Sequence, residues 1–407
     1  MPIILRTLVP FVFAYLVANL VRVVNAVAGG PISEDLGLTA ADLGLLTSVY
    51  FIGFAAAQLP FGILMDRYGP RLVEATTLII AVAGCLIFAL APSLLALAAG
   101  RFLIGVGSAV VLMAPLTAYR IAFSPQRLPL ITGVHMAFGA LGAALGGIPA
   151  QAALAATGWQ GLFFILAKII LLSAFLIFAL APRRHADATP TPIAELAKDL
   201  GTIFTARSFW RLAPLICTSH IALLSVVTLW SGPWLTDVAG LSPRAASAWF
   251  SFSAIGLLVG FLMFGAIVSR AERRGKGVHV FALVSLAHLA ITVLMMVLPP
   301  AIATPMWLVY SLTGTIAVFS YAMVTADFPP EMAGRVNTCV NFAVFAFAFV
   351  AQWVFGIVVD VVATTQPIAT AYNASFALQI IVTLLTFIPL IALRPRPETH
   401  IAHASRG

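Results

Sequence analysis

Gly62-Ile63-Leu64-Met65-Asp66-Arg67-Tyr68-Gly69-Pro70-Arg71 packs an acid, two arginines and two glycines into a chain that is only 9% charged. Long apolar runs flank it on both sides, so it reads as a tight polar turn between two membrane-spanning helices. Glycine permits a sharp turn and a close approach of backbones. Asp66 is placed to complement the positive N-terminal end of a neighbouring helix.

The surroundings fit that reading. The 407 residues are 61% hydrophobic, with a mean hydropathy of +1.06. A soluble domain is about half apolar and about a quarter charged, so the chain is expected to be an all-α membrane protein. Its net charge of +8 does not point to nucleic acid, because the basic residues sit in short loops rather than on one face. Cys85, Cys217 and Cys339 lie far apart in apolar runs and form neither a disulfide framework nor a Cys-x2-Cys pair. The first apolar run, Leu8 to Val27, reads as a retained span rather than a removed leader.

A spanning helix needs about 20 mostly apolar residues. Twelve runs qualify: 7–28, 42–62, 72–91, 95–118, 128–155, 160–181, 209–235, 244–268, 278–298, 304–326, 332–359 and 368–393. Breakers such as Gly29-Gly30-Pro31, Ala91-Pro92-Ser93, Ser124-Pro125 and Pro299-Pro300 separate them. All but four of the 22 basic residues then fall in loops on one side. The exceptions are Arg244 on the other side and Arg22, Arg101 and Lys168 within spans. The positive-inside rule puts both termini in the cytoplasm. Residues 1–182 make an N-terminal six-helix bundle and 209–394 a C-terminal one, with a tail at 395–407. The connection 183–208 carries Thr189-Pro190-Thr191-Pro192 and then an amphipathic stretch, Ile193 to Phe204, expected on the cytoplasmic surface.

The halves look like repeats. Gly62-x3-Asp66-Arg67 returns as Gly265-x3-Ser269-Arg270, Ile52-Gly53 as Ile255-Gly256, and Phe61 as Phe264. The opening stretch resembles the Gly-x3-Asp-Arg-x-Gly-x-Arg loop between helices 2 and 3 of the major facilitator superfamily, met by Gly62, Asp66, Arg67, Gly69 and Arg71. The resemblance covers essentially the whole chain. It implies two six-helix bundles with the substrate site between them near the midplane. It also implies a conformational switch in which Asp66 docks on the start of helix 11 when the transporter faces outward.

In that family helices 1, 4, 7 and 10 line the cavity. Tyr15, Asn19, Arg22 and Asn25 share one face of the first span. An intramembrane charge such as Arg22 marks a functional site by default. Arg101-x3-Gly105-x-Gly107 resembles the family's Arg-x3-Gly-x-Gly motif, whose arginine is assigned to coupling or gating. Span 7 supplies His220, Thr228 and Trp230 to the candidate cavity. Span 10 carries Tyr310, Gly314, Tyr321 and Thr325 on one face, and span 11 carries Asn337, Asn341 and Gln352 on one stripe. No Asp or Glu is expected deep in any span; Asp42, Asp237, Asp327 and Asp360 fall near span ends. Lys168, in a peripheral span, reads as a packing or snorkelling residue.

Two arginines without an acid suit a carboxylate or phosphate ligand. The expected function is therefore secondary transport of a small anionic metabolite by alternating access, as symport or exchange. The alternatives are a copper-type metal importer, efflux of a lipophilic compound, or a sensor on a transporter scaffold. Copper importers of the family use Met-x3-Met and His-x3-Met pairs, whereas span 7 has no Met and span 8 only Met263. The family's antiporter signature is incomplete at Gly146-Gly147-Ile148-Pro149. No catalytic constellation, cofactor or metal site is expected. The partners are a small-molecule substrate, with protons as a candidate coupling ion, and the lipid bilayer. A monomer in the bacterial inner membrane is expected.

Overall fold

The computed structural model describes residues 3–124, 127–182, 200–329 and 332–393; the side chain of Asp66 lies outside the described atoms, as do 183–199 of the connection and 394–407 of the tail. The described residues hold eleven helices long and apolar enough to cross a membrane and a shorter apolar one, Leu130–Leu145. We number the spans α1 (Ile3–Val23), α2 (Ala40–Met65), α3 (Arg67–Ala89), α4 (Leu94–Ala122) and α5 (Leu128–Leu145). The helix α5 pauses at Gly146-Gly147 and resumes at Ile148. The resumed helix turns at Gly158, which divides off α6 over 159–180. The second half follows with α7 (Arg207–Val238), α8 (Pro243–Glu272), α9 (Gly277–Val297), α10 (Pro300–Thr325), α11 (Ala333–Ala363) and α12 (Ile368–Ala392).

Local chemistry sets these boundaries. Thr39 and Asp42 form a reciprocal capping box at the start of α2. Ser93 caps α4, and Ser242 caps α8 ahead of Pro243. The turn between α2 and α3 needs Gly69, whose φ of 77° and ψ of 162° disfavour any residue with a Cβ. Gly158 does the same between α5 and α6 at φ 69°. Large apolar side chains such as Phe175, Leu262, Leu283 and Val361 face outward, as lipid-facing surface requires.

An even number of spans puts Ile3 and Ala392 at one end, the terminal end; the opposite end is the distal end. The halves meet along three seams. The helix that continues α1, Asn25–Leu36, packs on α7 at Gly232, where a Cβ would collide with the Ala26 carbonyl oxygen. Against α8, the α5 break is filled by one hydroxyl: Ser251 Oγ accepts from the Ile148 amide (3.0 Å) and donates to the Ala144 carbonyl (2.9 Å). The third seam joins α2 and α11. At its distal end the Asp360 carboxylate accepts from the amides of Ala40 (2.9 Å) and Ala41 (2.6 Å), the unsatisfied donors of the α2 N-terminus. Toward the terminal end this seam runs through Phe51, Phe54 and Phe345 to Asn341, which donates to Gln58 Oε1 at 2.6 Å.

Candidate functional site

The site is built around a break in the first helix. The chain leaves α1 at Val23 and re-enters helix at Asn25, so carbonyls near the break lose their helical partners. Arg101 from α4 takes two of them, donating to Val21 O (3.0 Å) and Arg22 O (2.9 Å). It is fully buried. In this conformation it is a clamp on the break, held in place because the motif glycine Gly105 lets α4 touch the α2 backbone at Tyr50.

Arg22 is different. It is partly exposed and donates to the Tyr50 hydroxyl at 3.4 Å. Its Cζ lies 5.9 Å from the Tyr50 ring centroid and 5.5 Å from that of Phe54. The Arg101 Cζ lies 5.1 Å from the same Tyr50 ring. Two guanidinium groups thus share one buried tyrosine. Among the described residues the ion pair is Arg211–Asp327 at 3.2 Å, at the terminal end, so no carboxylate neutralises either arginine. Stacking on an aromatic face orients a guanidinium without consuming its fork of donors.

The other N-terminal candidates line up beside it. Asn19 donates to the Tyr15 carbonyl (2.8 Å), and the Tyr15 hydroxyl reaches Met136 Sδ at 3.5 Å. Asn25 donates to Thr47 Oγ1 at 3.1 Å, leaving its buried Oδ1 unpartnered. At the switch loop, Arg71 donates to the Phe178 carbonyl through Nε (2.9 Å) and Nη2 and stacks on that ring, while Arg67 lies over Tyr68. Gly62 has open space around the position of a Cβ.

The C-terminal wall is neutral and aromatic. Within α7 the helix widens to π geometry over Ala222–Trp230 and again over Trp234–Val238, a form that recurs at functional sites. His220 bonds its own Ile216 carbonyl at 2.8 Å and sets its ring edge-on to Tyr321. The Tyr321 hydroxyl donates to Asn341 Oδ1 (2.9 Å), which continues to Gln58. Thr228 bonds back to Leu224, and Trp230 stacks on Phe355 at 4.8 Å. Among the described residues Trp230 Nε1, Ser225 Oγ and the Gln352 amide are buried without hydrogen-bond partners.

Two expectations need correction. Tyr310 and Tyr321 do not share a face. A 3-10 stretch over Thr315–Ser320 separates them, and three residues per turn instead of 3.6 adds about 20° per residue, roughly 120° over the stretch. Tyr310 therefore points into the C-terminal bundle against His288 and Trp307, beside a cavity of ≈ 10 Å³ lined by Ser219, Ser285 and Gln379. The second correction concerns acids. Glu74 is completely buried in α3. A single charge near the start of an apolar run reads as interfacial, and only the packing of α4 shows otherwise. Sequence reasoning also missed Tyr50 and Gln58, both on α2, because that helix was not expected to line the cavity.

A fold of two six-helix bundles of apolar helices is that of a multi-pass membrane protein. The Major Facilitator Superfamily model matches residues 11–352, and the chain belongs to that family. It is 25% identical over 274 residues to a probable sulfoacetate transporter, SauU, of Cupriavidus necator (64% of each chain). It is 26% identical over 273 residues to a hexuronate transporter of Bacillus subtilis (61% of this chain, 62% of that one). These two matches thus span less than two thirds of either relative's length. A methylenomycin A resistance protein of Bacillus subtilis is 24% identical over 382 residues, 85% of this chain and 80% of that one. Among solved structures, a bacterial homologue of the human lysosomal transporter Spinster, inward-facing and unoccupied, aligns with a TM-score of 0.72 at 17% identity, covering 97% of this chain and 96% of that one.

Proposed function

We propose that the protein moves a small organic anion across a bacterial inner membrane by alternating access, as a monomer with both termini and the 183–208 connection in the cytoplasm. The observation that carries this reading is Arg22, a partly exposed guanidinium at a helix break with no ion pair among the described residues. Its free donors suit a carboxylate or sulfonate, which a fork of N–H groups binds in a bidentate manner. Acidic solutes in the names of two relatives support the same class. Tyr15, Asn19 and Asn25 supply neutral polar contacts on the Arg22 side, and His220, Tyr321 and Asn341 do so on the other. Arg101 holds the α1 break in shape. Asp66, with Arg67 and Arg71 behind it, acts as the latch that docks on the start of α11 when the distal end opens.

Thermal-shift titration of the purified protein with sulfoacetate and glucuronate, against neutral glucose, tests this. A saturating anion at about 100 times its Kd stabilises by about 2.7 kcal/mol. Arg22→Ala should weaken binding about 10- to 100-fold, the worth of one charged hydrogen-bonded contact. Equal shifts in Arg22→Ala and the parent would reject the anion reading. Export of a lipophilic compound is the second reading, favoured by the aromatic C-terminal wall and the resistance-protein relative. It predicts stabilisation by lipophilic compounds that Arg22→Ala leaves unchanged.

A further inference from the structure

One carboxyl group has no part in the proposed transport of an anion. Glu74 lies about 7–8 Å along α3 from Gly69 at 1.5 Å per residue, and its side chain is fully buried. Among the described residues neither carboxyl oxygen has a hydrogen-bond partner. An ionised carboxylate so placed loses its hydration and gains nothing in return. A carboxyl group kept only for packing would donate its proton to a nearby acceptor. Glu74 donates to none among the described residues.

A file of three buried rings crosses the N-terminal bundle. Tyr119 from α4, itself fully buried, lies within electrostatic reach of Glu74. The Tyr119 hydroxyl is 3.1 Å from Nδ1 of His135 on α5. His135 is fully buried, and among the described residues its Nε2 has no hydrogen-bond partner. The His135 ring stacks on Tyr15 of α1 with centroids 4.2 Å apart. Tyr15 is one of the residues that share a face with Arg22. Beside the file α4 is itself broken, its regular helix ending at Ser108 and resuming at Met113. The nearest cation on α3, Arg71 one turn earlier, turns its guanidinium to the Phe178 carbonyl. Among the described residues no cation forms an ion pair with Glu74.

We infer that Glu74 is a proton-binding site of the N-terminal half, with Tyr119 and His135 as positioning residues that link it to the cavity face of α1. Its role in coupling rests on the transporter reading; the proton site itself does not. In the present conformation the carboxyl group holds its proton. When the bundles rearrange and water reaches the α4 break, the O–H bond breaks, the proton leaves to water, and a carboxylate remains. No other bond is made or broken.

Infrared spectroscopy of the purified full-length protein tests this without any substrate. The parent at neutral pH should show the C=O stretching band of a neutral carboxylic acid, and Glu74→Gln should lose it. A band that persists in Glu74→Gln, or its absence from the parent, overturns the proposal. Where Glu74→Gln does not fold, Glu74→Asp keeps the acid and must move the band; an unmoved band overturns it equally. His135→Gln should shift the pH at which the band disappears, whereas a purely structural histidine would leave that pH unchanged. The band can be present while anion binding fails, so this result and that of the Arg22 titration stand apart.

Discussion

The two ends of the junction between the bundles are closed by different chemistry. At the distal end backbone meets backbone at Gly232 and Ala26, a hydroxyl fills the α5 break, and a carboxylate caps the α2 N-terminus. Nearer the terminal end the described contacts between α2 and α11 are made by side chains: phenylalanine rings and the chain Tyr321–Asn341–Gln58. Backbone contacts form only at one separation, because no rotamer can reach further. Amide side chains tolerate more movement. The difference makes the described distal contacts the closer-fitting of the two sets.

The antiparallel pair α2 and α11 adds a second lesson. The acid near the end of α11, Asp360, sits on the N-terminus of α2. The acid at the end of α2, Asp66, is proposed to sit on the N-terminus of α11 in the opposite state. Each helix would then lend an acid to the other's positive end, one contact per conformation.

Breaking the distal seal at its backbone contact should have the largest effect. Gly232→Ala puts a methyl group against the Ala26 carbonyl, and overpacking of this kind costs about 1–3 kcal/mol. The population open at the distal end should rise about 10- to 100-fold. A single cysteine at Leu36→Cys, in a background without Cys85, Cys217 and Cys339, reports it through labelling by a membrane-impermeant maleimide. Unchanged labelling of a folded protein would mean the contact is not part of the seal.

The carboxylate comes next. Asp360→Asn removes a charge at a partly buried helix N-terminus, worth up to about 2 kcal/mol, and should raise the same labelling about tenfold. Asp66→Asn should lower it. Two variants that move labelling in the same direction would contradict the reciprocal arrangement. The smallest effect belongs to the terminal end. Tyr321→Phe deletes one neutral hydrogen bond, about 0.5–1.5 kcal/mol, and should change anion uptake into vesicles only a few-fold. A total loss of uptake would place the Tyr321 hydroxyl on the substrate instead.

The sequence by itself determined the spans, the repeat and the family, because each depends on local pattern. Hydropathy over about 20 residues finds a span whatever surrounds it. Gly69 was legible as a turn because only glycine takes its backbone conformation readily. Arg22 was legible as an intramembrane charge because an arginine inside a span is costly to hold there. What the tertiary structure decided lies where one helix depends on another. Arg101 matched a motif, but its partners are carbonyls freed by a break in α1 that no capping residue announces. Tyr310 and Tyr321 parted because a 3-10 stretch slips the register that an ideal helix would keep. Glu74 drew no reading of its own and Asp360 read as an acid near a span end, since a window average absorbs a single charge. One is sealed inside a bundle and the other sits on a helix end 320 residues away in sequence. Burial and partnership are properties of pairs of helices, and hydropathy along one chain records only one member of each pair.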